Sequence, residues 1–218
     1  MQINKYIDHT LLKPTATQKD IKQLCEEAIK YKFFSVCVNP CYVSYAKKLL
    51  QGTDVKIACV VGFPLGQNLT TIKCEEAKLA AQNGADEIDM VINVAKLKDK
   101  DYSYVLDEIN QVKKASLRFV KVIIETSQLT KEEIAQMCEI VNKSNAECIK
   151  TSTGFVGDGA KQEDVELMAK LISSNKFVKA SGGIRDYKTA KQMIELGAKR
   201  LGCSAGVKIM QESSQENI

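Results

Sequence analysis

The chain has 218 residues, of which 44% are hydrophobic and 27% charged, a length and balance that suit one soluble domain with a full core. A net charge of +4 with both signs mixed along the chain, and 6% aromatics, exclude the basic, aromatic-laced face of a nucleic-acid platform and fit an anionic small substrate. Eight scattered cysteines, one close pair (Cys37 and Cys41) and one histidine, His9, leave no complete zinc set; with no apolar leader and no bilayer-length apolar run, a reduced cytosolic protein is expected.

In chain order, residues 6–10 read as a first strand and 11–17 as a turn containing Pro14. Residues 17–32 read as a helix, with Thr17 or Asp20 near its cap and Ile21, Leu24, Cys25, Ala28 and Ile29 at helical spacing. A strand over 33–39 stops at Pro40, a short helix covers 42–50, and a third strand covers 55–62. The loop Phe63-Pro64-Leu65-Gly66 leads into a helix over 69–83, ended by Gly84. The pattern then repeats, with strands at 87–93, 119–125, 148–152, 177–181 and 200–203 and helices at 104–115, 131–143, 163–173, 187–196 and 205–211. The polar stretch 212–218 is expected to fray.

Eight strands alternating with eight helices through short connections imply parallel strands with helical crossovers. At this length, the fold class expected is α/β, a closed (β/α)8 TIM barrel in a single domain over 1–218. An open doubly wound sheet is the rival, and it would normally carry a glycine-rich turn after its first strand; Asp8-His9-Thr10-Leu11 has none.

In such a barrel the site lies at the C-terminal strand ends. Three strands each place one lysine in an apolar run: Lys121, Lys150 and Lys179. A lone strand lysine is usually a solvated edge residue, but three in covered strands are hard to explain that way. Side chains alternate along a strand, so Lys150 shares a face with Cys148 and Ser152, and Lys179 with Phe177 and Ser181. Neighbouring ammonium groups repel and burial disfavours charge, so either Lys150 or Lys179 could be a neutral nucleophile with the other as the perturbing charge. Asp89 adds a carboxylate on a face shared with Glu87, Val91 and Asn93; it is either a salt-bridge partner or a proton-transfer group. Ser181-Gly182-Gly183-Ile184-Arg185 and Gly202-Cys203-Ser204-Ala205-Gly206 follow the last two strands, where barrels commonly bind phosphate on backbone N–H groups; Gly154 adds a further N–H. His9 reads as a structural residue, Cys37 as a small buried thiol that could face the site, and Gly157-Asp158-Gly159 as a loop that either closes over substrate or is plain surface.

Together with Ile7-Asp8-His9-Thr10-Leu11-Leu12, Val36-Cys37-Val38-Asn39-Pro40, Gly62-Phe63-Pro64-Leu65-Gly66, Lys121-Val122-Ile123-Ile124-Glu125-Thr126 and Ile149-Lys150-Thr151-Ser152-Thr153-Gly154-Phe155, these segments resemble the deoxyribose-phosphate aldolase family of class I aldolases over almost the whole chain. The resemblance implies reversible cleavage of 2-deoxy-D-ribose 5-phosphate to acetaldehyde and D-glyceraldehyde 3-phosphate, in deoxyribose catabolism. By position it implies Lys150 as the Schiff-base lysine, Lys179 as the second lysine that lowers its pKa and exchanges protons, and Asp89 as a proton relay acting through water. Asp8, Lys121 and Cys37 would support them, and Gly154, Gly182, Gly183, Gly202 and Ser204 would hold the phosphate. It implies no cofactor and no metal, a small phosphorylated sugar as substrate, no nucleic-acid or membrane partner, and a homodimer. Some members end in a tyrosine that reaches the site; no tyrosine follows Tyr187 here, so proton transfer would fall to water or be slower. Other phosphate-binding barrel enzymes, such as an isomerase or a transaldolase-like enzyme, and a silent sugar-phosphate binder are the competing readings.

Overall fold

The computed structural model describes residues 2–215. Eight parallel strands close into a barrel in chain order: β1 (Ile7–Leu11), β2 (Ser35–Val38), β3 (Lys56–Val61), β4 (Glu87–Val91), β5 (Phe119–Ile123), β6 (Cys148–Lys150), β7 (Phe177–Ser181) and β8 (Ala198–Cys203), with β8 bonded back to β1. Around it run α1 (Gln18–Tyr31), α2 (Val43–Leu49), α3 (Thr70–Gln82), α4 (Val94–Lys98), α5 (Tyr102–Ser116), α6 (Lys131–Lys143), α7 (Gln162–Leu171), α8 (Tyr187–Glu195) and α9 (Gly206–Gln215).

Local chemistry sets the helix ends. The Thr17 hydroxyl accepts from the Asp20 backbone N–H, and the Asp20 carboxylate accepts from that of Thr17, so both cap candidates act together at α1. Thr130 and Glu133 repeat the device at α6. The alternation of each strand then divides the molecule. Outward side chains such as Ile57, Cys59, Val61, Ile88, Met90, Val120, Val122, Ile149 and Val178 pack beneath the helices and make the main core. The opposite faces of the same strands point into the barrel, and there the charged residues lie.

Several expected boundaries change. The last helix runs past its expected end at 211, because α9 continues to Gln215 and buries Ser213; residues 216–218 of the expected tail lie outside the described residues. The fourth strand stops at Val91 instead of Asn93, because the Asn93 side chain accepts from the Lys96 N–H and caps α4, a five-residue helix with no clear sequence pattern. The sixth strand stops at Lys150, two residues short of Ser152. No helix among the described residues is long and apolar enough to cross a membrane.

Lys73 of α3 and Glu108 of α5 form a wholly buried ion pair at 2.7 Å. The Lys73 ammonium also donates to the Val91 carbonyl at 2.8 Å, and the Glu108 carboxylate accepts from the Asn93 N–H at 3.0 Å, so the pair ties both helices to the end of β4. Burial outweighs the pairing and raises the Glu108 pKa. Replacing Lys73 by Met strands a buried carboxylate and is expected to cost about 3–5 kcal/mol at neutral pH. The loss shrinks as pH falls, because Glu108 then takes up a proton; urea melts at acidic and neutral pH check both statements.

Candidate active site

Inside the barrel, seven charged side chains bond to one another: Asp8 (β1), Glu87 and Asp89 (β4), Lys121 (β5), Lys150 (β6), Lys179 (β7) and Arg200 (β8). Register explains why they meet. Asp89 lies opposite Lys121, and Lys150 opposite Lys179, which in turn lies opposite Arg200 at an irregularity between β7 and β8. Asp89 is the hub. Its Oδ1 accepts from Lys121 at 2.7 Å, and its Oδ2 accepts from both Lys150 and Lys179, each at 2.7 Å. Lys179 also touches Asp8 at 2.5 Å, and Lys121 touches Glu87 at 2.6 Å. Arg200 bonds both Asp8 and Glu87, and the Ser35 hydroxyl donates to Asp8 at 2.7 Å.

The bonds are unequal, and the inequality sorts the amines. Lys179 has two carboxylates and Lys121 three, whereas Lys150 has only the Asp89 oxygen it shares. Burial works against the charge on Lys179, but Asp8 and Asp89 together outweigh it and raise its pKa. The same contest, won by Asp89, Glu87 and Asp8, raises Lys121. For Lys150 burial is the largest influence; Asp89 opposes it, the Lys179 charge adds to it, and the pKa falls. Desolvation thus leads and the second amine assists. Burial pushes the Asp89 carboxyl upward, but the three ammonium groups around it hold it well below the usual range. Fully ionised, this network would carry four cations (Lys121, Lys150, Lys179, Arg200) against three carboxylates (Asp8, Glu87, Asp89). Loss of the Lys150 proton is therefore the change that balances it.

Lys150 is also the member that reaches open space. A cavity of ≈ 260 Å³ is lined by Lys150, Thr153, Gly154, Phe155, Ser181, Gly182, Gly183, Gly202 and Ser204, along with Lys13 and Arg185. The expected phosphate turns and the nucleophile candidate thus share one chamber, while Asp89, Lys121, Lys179 and Asp8 lie beneath its floor. Two glycines are fixed by close approach. A Cβ on Gly202 would sit 3.1 Å from Lys179 Cε and 2.8 Å from Ser181 Cβ, so only glycine lets the lysine pass. Gly182, at φ +85°, would put a Cβ 2.8 Å from the Gly159 Cα. The Gly157–Gly159 segment is thereby anchored at its far end, where the Ala160 N–H also donates to the Gly182 carbonyl at 3.1 Å.

His9 is buried and bonds Glu27 at 2.7 Å outside this interior. Cys37 faces the interior with its thiol pKa raised, chiefly by burial. Sequence reasoning missed Arg200, which shares a strand face with Gly202, and gave no role to Glu87, which shares one with Asp89. Lys13 and Arg185 stood on loops, where alternation says nothing.

Known proteins agree with this architecture. The chain matches the model of the DeoC/LacD family of aldolases over residues 3–212. It is 56% identical over 217 residues to the deoxyribose-phosphate aldolase of Clostridium tetani, covering 98% of this chain and 100% of that one. Identity is 53% over 222 residues to the deoxyribose-phosphate aldolase of Caldanaerobacter subterraneus, covering 100% and 96%. Among solved structures, the tetrameric deoxyribose phosphate aldolase of Aeropyrum pernix superposes with a TM-score of 0.89 at 31% identity, covering 99% of this chain and 92% of that one. By its barrel and by a match that runs nearly end to end, the chain belongs to the DeoC/LacD family of aldolases.

Proposed function

We propose that this chain is a class I aldolase that reversibly cleaves 2-deoxy-D-ribose 5-phosphate to D-glyceraldehyde 3-phosphate and acetaldehyde, with Lys150 as the Schiff-base nucleophile. One observation carries the choice of lysine: among the buried amines of the network, Lys150 alone opens into the cavity walled by the glycine turns. It is also the amine whose pKa is lowered.

The chemistry follows. The neutral Lys150 amine adds to the aldehyde carbon of the open-chain sugar, water leaves, and an iminium forms. A base takes the C3 hydroxyl proton, the C2–C3 bond breaks, and its electron pair moves toward the iminium nitrogen, leaving an enamine and free D-glyceraldehyde 3-phosphate. An acid then protonates the enamine carbon, and water hydrolyses the new iminium to acetaldehyde and the free lysine. With Lys150 neutral, Asp89 still has the Lys121 and Lys179 ammonium groups to hold it anionic, so it acts as an acceptor that draws a proton through water rather than as a stored acid. Lys179, bonded to the same Asp89 oxygen as Lys150, sets the charge beside the nucleophile and can exchange protons with it through that oxygen. Asp8 and Lys121 hold these groups in place, and Cys37 is buried in the barrel interior with them. Backbone N–H groups at Gly154, Gly182, Gly183, Gly202 and Ser204 suit the phosphate.

Borohydride reduction in the presence of acetaldehyde is expected to alkylate Lys150, read by peptide mass spectrometry. Lys150→Ala should abolish the adduct and lower cleavage by at least about 1000-fold. Unchanged turnover in that variant would end the assignment. Lys179→Met tests the electrostatics. Removing its charge takes away a repulsion that disfavours a proton on Lys150, and it leaves Asp89 freer to pair with Lys150. Both effects raise the Lys150 pKa, so the acidic limb of the kcat/KM profile, below which Lys150 is protonated, is expected to move to higher pH.

A further inference from the structure

Among the described residues, Lys32, Lys100, Leu117 and Glu125 are the non-glycine positions whose backbones lie in the left-handed region. Lys32 and Leu117 end α1 and α5, and Lys100 follows the cap of α4, where that conformation is common. Glu125 has no helix before it. It lies just past the end of β5, at φ +55° and ψ 66°, and is 3% exposed. Such a backbone persists only where the surroundings fix it, and residues of this kind gather at working sites.

Glu125 holds the turn after β6. Its carboxylate accepts from the Thr153 N–H at 3.2 Å and from the Thr153 hydroxyl. That hydroxyl in turn accepts from the Phe155 N–H at 3.1 Å. Close by in sequence, the Ser127 hydroxyl donates to the Val156 carbonyl at 3.1 Å. Thr153 and Val156 are thus each fastened to the segment after β5, with Gly154 and Phe155 between them. A Cβ on Gly154, at φ +80°, would lie 3.6 Å from the Gly182 Cα, so the turns after β6 and β7 abut. Among the described residues the Gly154 N–H has no hydrogen-bond acceptor, which leaves it for a ligand. Thr153, Gly154 and Phe155 line the cavity, and Glu125 stands behind them.

We propose that Glu125 is a positioning residue for the substrate phosphate: through Thr153 it fixes the direction of the Gly154 N–H without touching the substrate. The proposal rests on the aldolase reading above. A carboxylate that only braced the barrel rim would matter equally to every sugar cleaved at Lys150. One that aims an N–H at the phosphate matters to phosphorylated sugars alone. The Lys150 charge acts on Glu125, so removing the carboxylate also alters the field at the nucleophile. That change is common to sugars with and without phosphate and cancels in their ratio.

The test compares kcat and KM for 2-deoxyribose 5-phosphate and for 2-deoxyribose in the wild type, Glu125→Asn, Thr153→Val and Thr153→Ser. Asparagine tolerates the left-handed backbone, but its shorter side chain withdraws the acceptor from Thr153. Glu125→Asn is expected to lower the kcat/KM preference for the phosphorylated sugar about 10-fold, chiefly through a higher KM for that sugar. Thr153→Val removes the hydroxyl, keeps the Glu125 charge and is expected to lower the same ratio. Thr153→Ser restores the hydroxyl and is expected to bring the ratio back to within about twofold of wild type. This pair keeps the test decisive should Glu125→Asn weaken the fold. Equal losses on both sugars, or ratios within about twofold of wild type in Glu125→Asn and Thr153→Val, would overturn the proposal. Absence of cleavage and of a borohydride-trapped adduct in the wild type would instead strike the aldolase reading itself.

Discussion

One carboxylate oxygen, Asp89 Oδ2, is shared by two ammonium groups that lie 29 positions apart in sequence on adjacent strands, Lys150 and Lys179. Sharing decides which amine can give up its proton. Lys179 keeps a second carboxylate in Asp8, so its charge is secured twice. Lys150 has no such reserve, and burial is the largest influence on its charge. Its ammonium form is therefore the least stable of the charges in the interior, and a small rearrangement of protons yields an amine able to attack a carbonyl.

Placing seven ionisable side chains inside a barrel is costly unless each is matched. Matching here is stepwise around the ring. Arg200 clamps Asp8 and Glu87, Lys121 bridges Glu87 and Asp89, and Lys179 bridges Asp89 and Asp8. The ring also fixes side-chain directions, because removing one member strands two others. Closure of β8 on β1 is what brings Arg200 to Asp8, so the barrel and its charge network depend on each other. β2 adds no charge to the ring but supplies the Ser35 hydroxyl that donates to Asp8.

Much of the architecture could be read from the chain. Residues 131–143 and 177–181 have the boundaries that capping and alternation indicate, because Thr130 and Glu133 close one and a run of alternating faces defines the other. Boundaries slipped where a side chain competed with the ladder: Asn93 capped a helix, and Glu125 turned into the left-handed region at φ +55° to accept from Thr153. The inward face of each strand was legible wherever a charge interrupted an apolar run, as at Lys121, Lys150 and Lys179. Arg200 lay in a strand whose neighbours are lysine and leucine, so no contrast marked it.

The sequence by itself determined the alternation of strands and helices, the lysines and carboxylate that face inward, and the glycine turns at the last strand ends, because periodicity and turn chemistry are local. Only the tertiary structure decided which lysine is short of carboxylate partners, that Asp89 joins three of them, and that Lys150 is the one of the three that lines the cavity of the glycine turns. Those properties arise from register and closure between strands far apart in the chain, where the energy of a buried charge depends on neighbours that no local pattern names.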